Sequence, residues 1–243
     1  QMAKSKGSDY ALLEVSSHSI VQQRIKGVTF KVFCFTNLSQ DHLDYHKDME
    51  TYFQSKLRIL NILSLDTKII VNIDDEYGKR FFAKAKKQGF KIETIGFCRK
   101  ADIKLRAHQG NSNIQLLEII KGEKIYSFQT HLIGKFQALN LGMALLTCEK
   151  FGFEFAELVN YAGSLKPVPG RLEFVGTFNH IKLYDDYAHN SMKICATINS
   201  FQHNKKNVHA FWRPHGHASF NNNYNDLINL HFPHVSLLLN YFF

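Results

Sequence analysis

The sequence predicts an α/β fold in which a mostly parallel sheet is flanked by helices. Residues 28–36 (VTFKVFCFT) alternate between two largely apolar faces, which is typical of a strand covered by helices on both sides. Further short apolar strands follow, and they alternate with polar stretches and helical patterns. A segment with two prolines and a glycine at 166–171 (KPVPGR) then separates this sheet from a second α/β pattern.

The first hundred residues are predicted to contain four strands joined by helices. The strands lie at 9–15 (DYALLEV), 28–36, 67–72 (TKIIVN) and 91–96. A helical turn is expected at 20–24. One helix begins at about Met49, because apolar residues recur at helical spacing as far as Leu63. A basic helix at 80–88 ends at Gly89, a residue that suits a helix C-terminus.

The region 103–131 is predicted to differ from the preceding pattern of strands and helices. Short alternating segments on either side of Lys121 and Gly122 favour an antiparallel hairpin on the flank of the sheet. Two helices are expected after the hairpin, at about 135–150 and 153–164.

The proline-rich linker leads us to expect two domains, at 1–170 and 171–243. The expected elements of the second are strands at 172–175, 180–185, 208–212 and 235–239, with helices ending near 202 and at 224–230. These elements predict a truncated Rossmann-like domain after the first sheet.

Polar side chains follow three successive predicted strands. Glu14 ends the first, Asp41 and His42 follow the second, and Asn72 and Asp74 follow the third. In open parallel sheets ligands bind at the carboxyl ends of the strands, so these side chains are expected to gather along one edge. Each of them alone is more often a turn or cap residue, and their convergence is the stronger indication of a ligand site.

Lys56 is predicted to face the apolar side of its helix, because it lies seven residues after Met49 and four before Leu60. Two explanations are open. Lysine stems often lie along apolar surface while the ammonium reaches water. Alternatively, a low-dielectric site lowers the pKa of Lys56, and the neutral amine reacts with carbon dioxide to form a carbamate, whose two oxygens can bind Mg²⁺.

The composition indicates a globular protein with an anionic partner. The chain has 243 residues, of which 44% are hydrophobic, and a formal net charge of +9. This charge favours nucleotides or phosphosugars, whereas nucleic acid is less favoured because the cations form no run of five or more. No apolar run approaches the ~20 residues that a membrane span needs, and no N-terminal export signal is present.

The four cysteines, Cys34, Cys98, Cys148 and Cys195, form no CxxC pair and predict a reduced, cytoplasmic protein.

The 13 histidines contain no HExxH motif, although His42 and His46 are four residues apart and can share a helix face. No GxSxG motif supports a hydrolase. We expect a monomer. Because the sequence enters a predicted strand soon after Gln1, we also expect a piece of a longer chain.

Five segments of the sequence resemble the Mur ligase family. They are EVSSHSIVQQR (14–24), FTNLSQDHLDYHKDMETYFQSK (35–56), LIGKFQALN (132–140), VPGRLE (168–173) and DYAH (186–189). The resemblance implies a P-loop-like central domain, ATP-dependent amide bond formation through an acyl phosphate, and a role in peptidoglycan precursor synthesis. Within the family, the sequence is most similar to members that add meso-diaminopimelate or lysine to UDP-N-acetylmuramoyl-L-alanyl-D-glutamate.

The resemblance also implies roles for individual residues. The residues implied to bind Mg²⁺ are Glu14, His42 and Lys56, the last as a carbamate. Those implied to contact the UDP-muramoyl-peptide are Ser16, Gln22 and Arg24, and those implied near ATP are Asn140, Arg171, Asp186 and His189. The implied catalytic residues are Lys56, His42, Arg171 and Asp186, which would help to neutralise charge between reacting anions. Gln22 and Arg171 are also explained as solvated surface residues.

The sequence departs from the family pattern in several places. No GxxxxGK[ST] phosphate loop occurs in the 243 residues; the family has this loop upstream, beside a uridine-binding domain, so this stretch alone is expected to be inactive. Gln40 and Gln137 replace the usual arginine and asparagine, and Asn190-Ser191 replaces Thr-Pro. Beyond residue 202 the likeness fades, and no Asn-Pro-Arg motif specifies the amino acid that is added.

Two alternative functions stay open. One is a related amide ligase such as folylpolyglutamate synthase, although the EVSSH and DHLDYH runs argue against it. The other is a non-catalytic remnant that binds an anionic partner through its basic surface.

Overall fold

The computed structural model describes residues 7–39, 46–109, 113–201, 207–213, 227 and 235–239. Its centre is a six-stranded sheet in which strands adjacent in sequence are adjacent in space. The strands are β1 (Val32–Phe35), β2 (Lys68–Asn72), β3 (Ile92–Gly96), β4 (Ile103–Gln109), β5 (Gln115–Lys121) and β6 (Lys124–Thr130). The first four strands are parallel, and β5 pairs antiparallel with both β4 and β6. The mostly parallel sheet and the hairpin at its flank are therefore confirmed.

Five helices accompany this sheet within the described part of the chain. They are α1 (Ser17–Val21), α2 (Met49–Leu57), α3 (Glu76–Lys87), α4 (Lys135–Lys150) and α5 (Phe155–Ala162). A 3-10 turn, Arg58–Asn61, extends α2 toward β2. Helix α2 connects β1 to β2 and α3 connects β2 to β3, as expected for parallel neighbours, which need a crossover between them.

Both faces of the sheet are covered, as the apolar alternation predicts. Ile69 and Val71 of β2 lie in one core with residues of α1, α2 and α3, including the fully buried Phe53 and Phe81. Ile70, between them, belongs to the opposite core, which α4 and α5 cover. Because neighbouring side chains of a strand point to opposite faces, a run of apolar residues in β2 supplies both cores.

The predicted strand at 9–15 is wrong. This segment carries no strand pairing in the structure, and Leu12 is 98% exposed. Only its ends are packed: the Tyr10 ring meets the Phe151 ring edge-on with centroids 5.1 Å apart, and Val15 lies against the first core. A strand-like composition needs a neighbouring strand to pair with, and the described segment has none beside it.

Helix α3 begins earlier than the basic pattern predicts. The side chain of Asp75 accepts a hydrogen bond from the amide of Gly78 at 2.6 Å, so the helix starts at Glu76 rather than near residue 80. An aspartate at the N-cap satisfies an amide that has no partner within the helix. Burial raises the pKa of the Asp75 carboxyl above its ordinary value, and the hydrogen bonds from Gly78 and Tyr77 oppose this effect.

The chain beyond the linker forms further small elements, and α6 and β9 contribute to a third core. They are an antiparallel pair, β7 (Glu173–Phe178) and β8 (Ile181–Asp185), helix α6 (Ser191–Asn199), and a parallel pair, β9 (Val208–Trp212) and β10 (Val235–Leu239). Ile194, Ile198, Trp212 and Leu227 pack together in this core. The predicted helix at 224–230 lies outside the described residues except for Leu227. The boundary between residues 170 and 171 stays a prediction.

Candidate functional site

Ser16, one of the predicted substrate-binding residues, caps the short helix α1. Its Oγ accepts a hydrogen bond from the Ser19 amide at 3.1 Å and lies 2.9 Å from the Ser19 hydroxyl. Serine is a favoured N-cap because its side chain replaces a missing helix acceptor. Gln22 ends the same helix, and the Arg24 amide donates to the Ser19 carbonyl at 2.9 Å. The side chains of Gln22 and Arg24 are exposed, and the three predicted residues lie at the two ends of this short helix and just beyond it.

Lys56 lies in the last turn of α2, and its side chain is half-buried. Asp48 starts this helix, because its Oδ1 accepts a hydrogen bond from the Thr51 amide at 2.7 Å. Two turns later, the Lys56 Nζ donates to the carbonyl of Val15 at 3.3 Å and lies 5.9 Å from the centre of the Tyr52 ring. The helical spacing thus places the amine against the segment that carries Glu14 and Ser16.

Burial lowers the pKa of the Lys56 ammonium below its ordinary value, and the carboxylate of Glu14 opposes this shift. Two physical effects therefore meet at this amine: removal from water favours its neutral form, whereas a nearby anion favours its charged form. A lowered pKa leaves more neutral amine at a given pH, and the neutral amine is the form that attacks carbon dioxide.

His42 lies outside the described residues, as does Asp41. Of the three predicted metal ligands, Glu14 and Lys56 are described: the Lys56 amine bonds to the carbonyl of Val15, the residue after Glu14, whose own side chain is exposed. Within the part of the chain that is described, no group of three histidine, cysteine, aspartate or glutamate residues can hold a metal ion. The predicted magnesium set of Glu14, His42 and Lys56 stays a prediction.

His46, which the sequence pattern paired only with His42, lies next to this site. Its side chain is buried, its Nε2 lies 2.7 Å from the Ser17 Oγ, and its ring stacks on Tyr52 with centroids 4.7 Å apart. The ring of His18 lies 5.7 Å away. The spacing from His42 suggested a shared helix face but not this contact, since Ser17 is 29 residues away in sequence.

Asn72 and Asp74 lie at the carboxyl end of β2, and their polar groups bind the backbone. The Asn72 side chain donates to the Thr36 carbonyl at 2.8 Å and accepts from the Asp74 amide at 2.9 Å. The Asp74 carboxylate accepts hydrogen bonds from the amides of Phe97 and Cys98, each at 2.9 Å. These hydrogen bonds connect the ends of neighbouring strands. They account for the polar side chains of Asn72 and Asp74 as structural ties, and a ligand is not needed to explain them.

The linker after α5 contacts the segment that carries Asp186 through Tyr187. The Arg171 guanidinium lies 4.8 Å from the centre of the Tyr187 ring, and the Tyr187 amide donates to the Gly170 carbonyl at 2.8 Å. Asp186 accepts a hydrogen bond from the Thr197 hydroxyl at 2.7 Å. Arg171 is thus held against the Tyr187 ring, and Asp186, the preceding residue in the chain, is held by Thr197.

His189 and Lys193 complete this cluster, which we call the hinge cluster (Arg171, Asp186, Tyr187, His189 and Lys193). The His189 Nδ1 lies 3.0 Å from the Tyr187 carbonyl, and its Nε2 lies 3.1 Å from the Lys193 Nζ. Since the carbonyl can only accept, Nδ1 carries the proton, and Nε2 accepts from the lysine. Lys193 was not predicted, and its contact with His189 four residues earlier, one helical turn away, is the signal that could have found it.

Asn140, the residue predicted to lie near adenine, is on α4. Gln137, one turn earlier on the same helix, donates through its side chain to the Arg171 carbonyl at 3.3 Å. Residues three apart share a helix face, so the exposed Asn140 lies on the face of α4 that meets the linker.

The lowered pKa of Lys56 predicts how its replacement by methionine changes stability with pH. The unfolded chain binds this proton with a pKa of about 10.4, above that of the folded chain, so the lysine lowers stability at neutral pH. As pH rises toward the pKa of Lys56 in the unfolded chain, the wild type regains the stability that the lysine costs at neutral pH. We expect Lys56→Met to melt at a higher temperature than the wild type at pH 7, with the difference shrinking toward pH 10.

Thermal unfolding followed by circular dichroism measures this difference across the pH range. Lys84→Met, at an exposed position on α3, is the control. Its difference in melting temperature from the wild type should not shrink between pH 7 and pH 10. A difference that grows with pH would contradict the assigned direction of the pKa shift.

The geometry defines a class: an α/β domain with a half-buried lysine that bonds to the segment 14–17, followed after the linker by further short strands and a helix. The family model of the Mur ligase middle domain matches residues 1–148, and the chain belongs to this family. The predicted family membership is confirmed.

Curated relatives of the chain include enzymes named UDP-N-acetylmuramoyl-L-alanyl-D-glutamate--2,6-diaminopimelate ligase. The Haemophilus influenzae protein is 36% identical over 196 residues, which cover 76% of this chain and 38% of the relative. The Aquifex aeolicus protein is 39% identical over 75% of this chain and 36% of its own length. The chain therefore spans less than half the length of these relatives.

Solved structures share the fold. A structure of UDP-N-acetylmuramoyl-L-alanyl-D-glutamate--2,6-diaminopimelate ligase aligns with a TM-score of 0.70 and 24% identity, covering 87% of this chain and 44% of that one. MurF ligase from Thermotoga maritima, in complex with ADP, aligns with a TM-score of 0.67 and 14% identity. The alignment covers 93% of this chain and 61% of that one. Structures of folylpolyglutamate synthase from Mycobacterium tuberculosis, complexed with ADP and AMPPCP, align with a TM-score of 0.60 and 21% identity. The alignment covers 74% of this chain and 42% of that one.

Proposed function

We propose that this chain is the central part of an ATP-dependent ligase of peptidoglycan precursor synthesis. The reaction joins an amino acid to the free carboxylate of UDP-N-acetylmuramoyl-L-alanyl-D-glutamate. The observation that carries the proposal is the amine of Lys56, half-buried and bonded to the Val15 carbonyl beside Glu14, in a chain related to ligases with that substrate in their name.

The residues around Lys56 fit a magnesium site once the amine is a carbamate. The carbamate and the Glu14 carboxylate would supply oxygen ligands of the kind that Mg²⁺ prefers, and His42 is the third proposed ligand. Bound there, Mg²⁺ would neutralise negative charge between the nucleotide and the acceptor carboxylate. Burial of Lys56 favours the neutral amine that carbamate formation needs.

The hinge cluster is proposed to hold the nucleotide. Arg171 contributes a fixed positive charge, because its guanidinium rests on the Tyr187 ring. Asp186 and His189 are held in place by Thr197 and by the Tyr187 carbonyl, and Asn140 lies on the adjacent face of α4. Ser16, Gln22 and Arg24 are proposed to contact the UDP-muramoyl-peptide, since they lie at the ends of α1 and just beyond it, in the segment that follows the Lys56 contact at Val15.

The amino acid substrate is proposed to be meso-diaminopimelate or lysine. The relatives are named for diaminopimelate, but the Asn-Pro-Arg motif does not occur in these 243 residues. No GxxxxGK[ST] loop occurs in them either, so we expect this stretch to bind ligands without completing the reaction.

A monomer acting in the cytoplasm is part of the proposal. No helix in the described part of the chain is long and apolar enough to cross a membrane.

Binding of the UDP-muramoyl-dipeptide to the 243-residue chain tests this function. We expect weak but saturable binding by isothermal titration calorimetry, lost in Arg24→Ala because the variant removes an exposed cation next to the proposed pocket. Arg106→Ala is the matched control, since Arg106 lies on β4 and pairs with Glu118 at 3.6 Å. Binding that is absent in the wild type, or equally reduced in both variants, would contradict the proposal.

A folylpolyglutamate synthase-like ligase is the second candidate, because the fold aligns with that enzyme at a TM-score of 0.60. It predicts binding of a folate rather than of the UDP-muramoyl-dipeptide in the same titration. A non-catalytic basic remnant instead predicts salt-dependent DNA binding in a gel shift.

A further inference from the structure

His46 closes a circuit of contacts that begins and ends at Lys56. The Lys56 Nζ bonds to the Val15 carbonyl, and Val15 lies two residues before Ser17. The Ser17 hydroxyl bonds to the Nε2 of His46 at 2.7 Å, a hydrogen bond whose direction depends on the tautomer. The His46 ring stacks on Tyr52, with an interplanar angle of 13°, and Tyr52 lies one helical turn before Lys56.

The circuit joins two segments that are distant in sequence. One is the segment 14–17, which carries Glu14, Ser16 and the Val15 carbonyl. The other is α2, which carries Lys56. His46 is 2% exposed and Ser17 is 1% exposed, so their hydrogen bond is shielded from water. A shielded hydrogen bond has a defined geometry, because water offers no competing partner.

We propose that His46 is a positioning residue for Lys56: by binding Ser17 and stacking on Tyr52, it sets the lysine amine beside Glu14. The inference rests on the proposed role of Lys56 and adds to it a residue that bridges both sides of the site. It requires two properties of one side chain, a polar atom that reaches the Ser17 hydroxyl and a flat face that covers Tyr52.

Two variants of His46 remove these two properties one at a time. His46→Phe keeps a flat ring against Tyr52 but has no atom to bond with Ser17, whereas His46→Gln keeps a polar end and loses the ring. Ser17→Ala removes the same hydrogen bond from the other side. Thr147→Val is the matched control: it removes a partly buried hydroxyl that bonds to the Met143 carbonyl at 2.7 Å in the opposite core.

The first measurement is the carbamate on Lys56, observed by ¹³C NMR of the whole chain in ¹³C-bicarbonate. We expect His46→Phe and Ser17→Ala to lower the carbamate fraction about tenfold, the lower range of what loss of an outer partner costs at a metal site. His46→Gln should recover part of this loss, and Thr147→Val should match the wild type. Unchanged carbamate in His46→Phe and in Ser17→Ala would overturn the inference.

The second measurement does not depend on the carbamate. A double-mutant cycle combines His46→Phe with Lys56→Met and compares free energies of unfolding from urea titrations. Positioning predicts that the two effects do not add, and simple addition would overturn the inference. If the wild type shows no carbamate, the proposed role of Lys56 fails, and the cycle still decides whether His46 positions its side chain. If His46→Phe does not fold, Ser17→Ala takes its place in the cycle.

Discussion

Replacement of Lys56 by alanine is expected to abolish carbamate formation on this chain. The amine of Lys56 is removed from water and bonded to the Val15 carbonyl, and its pKa is lowered by burial, so it is the lysine best prepared to react with carbon dioxide near Glu14. In ¹³C-bicarbonate we expect one carbamate resonance in the wild type and none in Lys56→Ala.

The same substitution is expected to remove Mg²⁺ binding at this site. Loss of a ligand should cost more than the ~10- to 100-fold in affinity that loss of an outer partner costs. A short-chain carboxylic acid in the buffer should restore part of the affinity, because its carboxylate can enter the space that the lysine leaves. Calorimetric titration with Mg²⁺, with and without the acid, measures both effects.

Lys31→Ala provides the control for this prediction. Lys31 is an exposed lysine whose ammonium lies over the Phe151 ring, 4.9 Å from its centre. This variant should keep the carbamate resonance and the Mg²⁺ affinity of the wild type. A resonance that persists in Lys56→Ala, or that disappears equally in Lys31→Ala, would show that Lys56 is not the carbamylated residue.

Replacement of Gly78 by alanine is expected to be strongly destabilising. A Cβ atom at this position in α3 would lie 1.8 Å from the carbonyl oxygen of Asn72 and 3.0 Å from its carbonyl carbon. Both atoms belong to the backbone of β2 and cannot rotate away, so the helix must move from the sheet. We expect a loss of about 3 kcal/mol or more in the free energy of unfolding, the upper range for overpacking.

Gly142→Ala is the matched comparison, because Gly142 also lies in a helix that packs on the sheet. Its Cβ would meet the Cδ1 of Ile95 at 2.8 Å, the far end of a flexible side chain that can change rotamer. Alanine also favours a helix by about 1 kcal/mol over glycine, so a loss of at most ~1 kcal/mol is expected there. Urea titrations of both variants measure the difference. Equal stability of Gly78→Ala and the wild type would contradict the close packing of α3 on β2.

The sequence alone determined the elements whose patterns are local. Alternation of apolar residues at 28–36 predicted a strand covered on both faces, and β1 does place Phe33 and Phe35 in one core and Val32 and Cys34 against the other. Helical periodicity from Met49 placed Lys56 toward the interior, and the structure has it half-buried. The antiparallel hairpin around Gly122 followed from its turn residues. These features depend on spacings of a few residues, which the sequence displays directly.

Only the tertiary structure decided the features that depend on distant partners. The segment 9–15 has the composition of a strand, but whether it pairs depends on the strands that lie beside it. His46 is a site residue because it meets Ser17, 29 residues away, and Asn72 is a structural tie because it meets Thr36, 36 residues away. A side chain becomes a ligand, a cap or a tie according to the groups that folding brings to it, and no local spacing records those groups.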